Sequence, residues 1–415
     1  MQRVGAGEES KMSDNSVIAG GENLVDTDAM LEMLRAIIPD LPREVRVVES
    51  VVYAEDHGMA SRLYKVELSA SGDAEKDWNG KKMCVKWFDA SKFLGDDWRL
   101  SMRELLFYRD FAHEVAQVVH IPHCYGAEKS GNTISCVAFE FVEPPYQLGE
   151  QVAGMPLDEM EAAVKLIAKL HSRSIDDLPD WVLPVSKTVE AVQGVIRGAV
   201  KNIKRENVSQ ALNGVDPDAA CKVFGQVCAP GAWESIADLV GEGFPKHLIH
   251  FDVRGENLFI KRSEDGSKVE DVILFDWQNM AIGSAGMELA YFLPGSMTIP
   301  MRREHERYLI DLYVDELQCH LGPDAKLPSK EEYWQSYKLA LSYVLVWASI
   351  ILDNPDGVME MIGKTEEQLK AKVMNFMITT AERNLTAVID HGSADLLTAA
   401  IDAKRAAEAA ASSSA

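Results

Sequence analysis

The sequence predicts an α+β protein of two lobes, and three observations carry that expectation. From Val45 to about Phe88 the pattern is β-rich and lacks helical periodicity. Beyond Pro145 it is mostly helical to the C-terminus. One β-hairpin, near 258–275, interrupts the helical part.

The elements follow in order. Residues 1–23 are rich in Gly, Ser and Glu and are expected to form a disordered tail. Asp28 is placed to cap a short amphipathic helix, Ala29 to Ile38, that stops before Pro39. Two strands are expected next, RVVESVVYAE and RLYKVELSA, then a charged turn and a third, MCVKWF. A helix is expected from about Asp97 to His113, and a further strand, ISCVAFEFV, ends at Pro144. The β-rich front, 24–142, thus forms one lobe and the helical back, 143–400, the other. Leu339 to Leu352 is the longest apolar run, but it holds two serines and is shorter than the ~20 residues of a membrane span. It reads as a buried core helix. Residues 401–415 are of low complexity and are expected to fray.

Composition narrows the function. The 415 residues include 42 Lys+Arg against 65 Asp+Glu, a net charge of −23, which excludes a chain built to grip nucleic acid or an anionic membrane. The acidity is spread along the chain, as suits solubility. Six cysteines (Cys84, Cys124, Cys136, Cys221, Cys228, Cys319) form no C-x-x-C pair and no metal-spaced cluster with histidine. They read as reduced thiols of a cytoplasmic protein, and the N-terminus lacks the apolar stretch of a secretory signal.

Chemistry concentrates in HLIHFDVRGENLFIKRSEDGSKVEDVILFDWQ, residues 247–278. It contains His250-x-Asp252-x-x-x-x-Asn257 and an apolar strand leading to Asp276, with the hairpin dipeptide Asp265-Gly266 between. The midpoint of 257 and 276 falls beside that turn, so antiparallel pairing is expected to set Asn257 and Asp276 nearly opposite, on the order of 5 Å apart. Two oxygen ligands so placed can share a Mg²⁺ whose remaining ligands are phosphate and water. Asp252, in the tight loop before, is placed as a base or hydroxyl-orienting group. This is the metal-and-base half of kinase machinery, and it sharpens the expectation to a bilobal protein-kinase-like fold with a β-rich N-lobe and a helical C-lobe that carries a catalytic β-hairpin. The plainer alternative is a polar loop capping a hairpin.

The other half is expected in the front lobe. Lys86 lies inside the apolar strand Met83–Phe88, and Glu104 shares a helical face with Leu100, Phe107 and Phe111. A carboxylate among apolar neighbours costs free energy unless paired, and the two residues answer each other. The ammonium is then aimed at the α/β-phosphates of ATP. The loop Ala54 to Ser61 has one glycine and no G-x-G-x-x-G; Ser61 and the backbone around Gly58 are the candidate phosphate contacts, against an ordinary hairpin connection. The strand running into Pro144-Pro145 reads as a hinge, with backbone groups of Glu140 to Val142 expected to meet an adenine edge.

At these residues the chain resembles the aminoglycoside phosphotransferase and choline kinase-like superfamily, and within it the ecdysteroid kinase-like (CHK kinase-like) enzymes. The family shows H-G-D-x-x-x-x-N, then D-F/W-Q, then a G-x-x-x-x-D-L-A/S-Y-F-L run. Here stand His250-Phe251-Asp252…Asn257, Asp276-Trp277-Gln278 and Gly283…Glu288-Leu289-Ala290-Tyr291-Phe292-Leu293; Arg103-Glu104…Phe107-Tyr108 and Leu170-His171 also match. The resemblance spans roughly 45–350. It implies that Asp252 is the catalytic aspartate, that Asn257 and Asp276 hold Mg²⁺, and that Lys86 and Glu104 form the ion pair of the N-lobe. It implies that His250 braces the metal loop, a packed core histidine being the alternative. Arg254 stands where protein kinases place a lysine on the γ-phosphate; a surface or salt-bridge arginine is the alternative. Two departures stand out. Phe251 replaces a glycine, which reduces the loop's φ/ψ freedom. Glu288 replaces the aspartate that anchors the loop and must reach one methylene further.

The expected function is an ATP- and Mg²⁺-dependent transfer of phosphate to a hydroxyl of a small-molecule acceptor, with no nucleic-acid or membrane partner. The rivals are a kinase-fold nucleotide-binding pseudokinase with a regulatory role, a protein kinase, which the absence of D-F-G and A-P-E argues against, and a plain helical interaction protein. Trp334 and Tyr337 are weighed as acceptor lining against ordinary helix packing.

Overall fold

The fold is taken from a computed structural model that describes residues 24–53, 61–89, 102–131, 133–200, 202–212, 214–229, 231–354 and 367–414. The expected tail at 1–23, the loop with Gly58 and the first turn of the helix expected from Asp97 lie outside the described residues. The chain divides into two compact units. One comprises the chain up to Ala112 together with Pro122–Phe141; the other comprises His113–Ile121 together with Val142 onward.

In the first unit, helix α1 (Thr27–Ile37) begins two residues earlier than the sequence suggests. Asp26, not Asp28, is the N-cap, its carboxylate accepting from the backbone N–H of Asp28 and Ala29. The sheet comprises β1 (Arg46–Tyr53), β2 (Ser61–Ser69), β3 (Lys82–Asp89), β4 (Cys124–Ser130) and β5 (Ile134–Glu140), in the order β1-β2-β3-β5-β4 and antiparallel throughout. A short helical turn, Gly72–Ala74 then Glu75–Trp78, joins β2 to β3 where only a charged turn was expected. Strand β4 has no apolar alternation, which hides it in the sequence; its residues are half-buried nearly throughout. At its bulge Gly126 is required, because a Cβ there would sit 1.9 Å from the Ile37 carbonyl oxygen.

Side chains alternate across this sheet. Tyr64, Val66, Met83, Val85, Trp87 and Ala138 pack with Met30, Met33, Leu34 and Ile37 of α1. Lys86, between Val85 and Trp87 in β3, therefore points to the opposite face, where Leu63 and Val137 flank it in register. After β3 the chain reaches α2, which opens as Arg103–Leu106, widens to a π-helical turn Phe107–Phe111 and ends as Ala112–Val115. The π turn departs from the 3.6 period assumed for it.

The second unit carries the remaining helices and two small sheets. Strand β6 (Gln147–Leu148) pairs with β8 (Leu258–Arg262), which pairs with β9 (Val269–Leu274). Strand β7 (His247–Ile249) pairs with β10 (Ala281–Gly283). The helices are α3 (Leu157–His171), α4 (Val185–Val200), α5 (Arg205–Ala211), α6 (Pro217–Val227), α7 (Ala232–Gly241), α8 (Ala285–Ser296), α9 (Ile299–Leu321), α10 (Lys330–Ala340), α11 (Leu345–Asp353), α12 (Glu367–His391) and α13 (Ser393–Ser414). Helix α8 is buried along nearly its whole length, consistent with its all-round apolar sequence. The apolar run 339–352 is buried as expected, but in pieces: the end of α10, a 3₁₀ turn Leu341–Val344 and α11. Among the described residues no helix is long and apolar enough to cross a membrane. The C-terminal stretch expected to fray is helical to Ser414, since alanine has the highest helix propensity. From Asp402 to Ser412 it is exposed.

Candidate active site

The residues singled out by the sequence fall into two groups, one in each unit. In the first unit the Lys86 ammonium lies 2.6 Å from Glu104, with both side chains largely buried. This is the pairing the strand and helix patterns predict. Tyr108 stacks on Phe139 of β5 at 5.6 Å and meets Phe107 edge-on, which packs α2 against the sheet. Burial pushes the Cys84 thiol, two residues from Lys86, up to about 12, so it is a packing group rather than a nucleophile. Ser61 is the first residue of β2. At the strand end the Glu140 N–H donates to the His123 carbonyl and the Phe141 N–H to that of Lys82. Those two donors serve the sheet. Among the described residues the Val142 N–H meets no backbone acceptor.

In the second unit the loop between β7 and β8 holds His250, Asp252, Arg254 and Asn257. Its shape is fixed from below by Glu288, which is 1 % exposed. Glu288 accepts from the His250 N–H at 2.8 Å and the Phe251 N–H at 2.6 Å. The extra methylene therefore reaches both amides. His171 adds a third donor, Nε2 lying 3.1 Å from Glu288, and its Nδ1 lies 2.8 Å from the Tyr313 hydroxyl. Burial lowers the His171 pKa to about 3, so it is neutral; Nε2–H donates to Glu288 and Nδ1 accepts from Tyr313. This contact is a hydrogen bond rather than an ion pair.

Phe251 takes the left-handed conformation (φ 60) that the family's glycine adopts easily. Its buried ring lies 5.1 Å from Tyr343, which stacks on Trp233 at 5.3 Å. Aromatic packing and the Glu288 bond offset a backbone cost of roughly 1–3 kcal/mol. His250 is fully buried. Its Nε2 contacts the Phe275 carbonyl at 2.9 Å and its Nδ1 accepts from the Asp252 N–H at 3.3 Å. Burial lowers its pKa, so a neutral imidazole protonated on Nε2 satisfies both contacts. It braces the two chain segments that carry Asp252 and Asp276.

Asp252 is 6 % exposed. The Asn279 amide donates to its Oδ2 at 3.2 Å, the Arg254 Nε lies 3.6 Å from its Oδ1, and Tyr291 makes a side-chain hydrogen bond to it. Burial pushes its pKa up to about 6; Arg254 opposes that rise and Asp276 adds to it. Arg254 itself bonds Glu256 at 2.8 Å and lies 5.5 Å over the Phe376 ring. It is thus an ion-paired arginine beside Asp252. Asn279 and Tyr291 were not singled out by the sequence. Each meets Asp252 across a loop or helix whose path no local pattern reveals.

Asn257 and Asp276 do not stand directly opposite. Leu258 pairs with Leu274, and the Phe275 N–H donates to the Asn257 carbonyl, so Asp276 lies one residue beyond the expected register. The turn is centred at Asp265-Gly266, where Arg262 pairs with Val269, short of the midpoint of 257 and 276, and the bulge at Lys261/Arg262 restores only part of the difference. Asp276 adopts a left-handed backbone (φ 65), which turns the chain at that point. The Asn257 amide nitrogen donates to the Asp252 carbonyl at 2.8 Å, leaving its Oδ1 as an oxygen donor near the loop. One amide oxygen and one carboxylate suit Mg²⁺ chemistry if phosphate and water complete the shell. Among the described residues no group of three or more His, Cys, Asp or Glu side chains could hold a metal alone. Trp334 and Tyr337 stack on each other, and the Tyr337 hydroxyl donates to buried Glu306; both belong to helix packing.

Fold and loop together define a chain of the protein-kinase-like class. Over residues 228–323 it matches the model of the ecdysteroid kinase-like family. Among solved structures, choline kinase from Cryptosporidium parvum Iowa II is similar, with 13% identity over 89% of this chain and 98% of that one and a TM-score of 0.50. Plasmodium vivax ethanolamine kinase follows, with 12% identity, 88% and 96% coverage and a TM-score of 0.49. A spectinomycin phosphotransferase, solved with ADP and spectinomycin, has 10% identity, 88% and 99% coverage and a TM-score of 0.45. No curated protein matches the sequence. The family match spans the β7–β8 loop, the β8–β9 hairpin and α8, and the first structural likeness shows the protein-kinase-like fold.

Proposed function

We propose that this chain is an ATP- and Mg²⁺-dependent small-molecule kinase that transfers phosphate to an acceptor hydroxyl in the cytoplasm. One observation carries the reading: a buried carboxylate, Asp252, with a pKa near 6, is held by directed donors on a loop anchored from beneath. Above that pKa it is a carboxylate that can accept the acceptor's hydroxyl proton as the oxygen attacks the γ-phosphorus. Arg254, beside it, supplies positive charge to the transferring phosphoryl group. Asn257 and Asp276 would hold Mg²⁺, which would neutralise phosphate charge. Lys86, steadied by Glu104, would bind the α/β-phosphates, with Ser61 and Gly58 on the covering loop and Glu140 and Val142 at the adenine edge. The six free cysteines support a reducing compartment.

Both departures from the family pattern are accommodated: Glu288 reaches its amides and Phe251 is packed in place. That favours turnover over a pseudokinase role. The test is ATP consumption against a panel of cholines, sugars, aminoglycosides and sterols. Asp252→Asn should lower transfer by about 10²–10⁴-fold while nucleotide binding persists. Retained transfer in that variant would sink the assignment.

A further inference from the structure

The α1 side of the first unit carries a cavity that the kinase reading does not use. It measures about 460 Å³ and is lined by Arg35, Ile38, Pro39, Leu41, Arg43 and Arg46. Arg35 lies in the last turn of α1, and the others follow on the link from α1 into β1. This is the α1 side of the sheet, whereas Lys86 faces the other side. Three arginines thus line one concavity in a chain of net charge −23.

Their partners set them apart from ordinary surface arginines. Arg46 is tethered by its Nη1, which donates to the carbonyls of Arg43 at 2.5 Å and Val45 at 2.8 Å. Its Nε and Nη2 donors are not used in those bonds. Among the described residues, none of the three arginines has a carboxylate partner. Two acidic residues, Asp40 and Glu44, lie in the same segment; neither lines this cavity, and Glu44 lines the adjacent one with Asp73 and Asp77. The floor is apolar: Ile38 and Leu41 are buried. Three like charges left together repel one another, and the arrangement is relieved by a bound anion. Asp40 and Glu44 make no ion pair with the three arginines, and carboxylates farther off are screened beyond roughly 10 Å.

We propose that this cavity binds the phosphate or pyrophosphate group of a small phosphorylated molecule, at a site separate from the Lys86 face. Guanidinium forks match phosphate oxygens in pairs, and a multiply charged group is needed to hold at an exposed site. The site requires no turnover, so its test is independent of the proposed activity.

The experiment is a calorimetric titration of the full chain with inorganic pyrophosphate in metal-free buffer. The wild type should show saturable binding that weakens with added salt. Arg43→Ala/Arg46→Ala should weaken it by about tenfold or more. Arg35→Ala/Arg43→Ala, which leaves the Arg46 tether to the backbone carbonyls in place, should do the same without changing the melting temperature. Inorganic phosphate should bind more weakly than pyrophosphate. Absence of saturable binding, or an affinity equal to wild type in both arginine variants, would overturn the proposal.

Discussion

Two buried carboxylates meet at the same short loop, Glu288 from α8 and Asp252 from within the loop, and burial raises the pKa of both. Glu288, below the loop, accepts from two backbone amides and the His171 ring. Its oxygens are committed, and it acts as a fixed acceptor. Asp252, above, has a longer contact from Asn279, an arginine at 3.6 Å and a phenol. Fewer and longer contacts leave it capacity to accept a proton. Similar burial therefore produces an anchor in one case and a reactive group in the other, and the difference lies in how far each carboxylate is saturated by donors.

The largest expected effect comes from the anchor. Glu288→Ala would strand two buried amides and the His171 donor, costing about 3–5 kcal/mol, and transfer should disappear with the fold. A melting temperature close to wild type would contradict the anchoring role. Asp252→Asn should do the reverse for stability. Its pKa is raised from 3.8 to about 6, so the folded state binds the proton more tightly than the unfolded one. Stability from this group is therefore full at low pH and is lost as pH rises from 3.8 through about 6. Removing the charge should stabilise the fold at neutral pH by up to about 3 kcal/mol, read by denaturant melts. Tyr313→Phe removes one donor from the chain of bonds behind Glu288 and should cost about 1 kcal/mol with kcat nearly intact. Tyr291→Phe and Asn279→Ala should move stability least, while raising the Asp252 pKa and shifting the acid limb of the kcat profile upward. An unchanged limb in both variants would remove them from any positioning role.

Much of this was legible in the sequence where information is local. The H-x-D-x-x-x-x-N spacing, the Asp-Gly turn and the apolar strands locate the loop and hairpin, and a lysine in one strand implies its glutamate partner. What the sequence hides depends on distance along the chain or on irregular backbone. Glu288 meets His171 across 117 positions, and Tyr313 meets it across 142. The one-residue slip at Asp276 follows from where the turn is centred, which no hydrophobic pattern announces. Strand β4 lacks alternation, and the C-terminal alanines look like a fraying tail although their propensity favours helix.

The central claim is that ionised Asp252 accepts the hydroxyl proton. The most direct measurement is the single-turnover rate of phosphate transfer from ATP, with an acceptor found in the panel, as a function of pH. The rate should fall as pH drops through about 6, where Asp252 becomes protonated. A rate that stays flat well below that value, in protein still folded, would contradict the account.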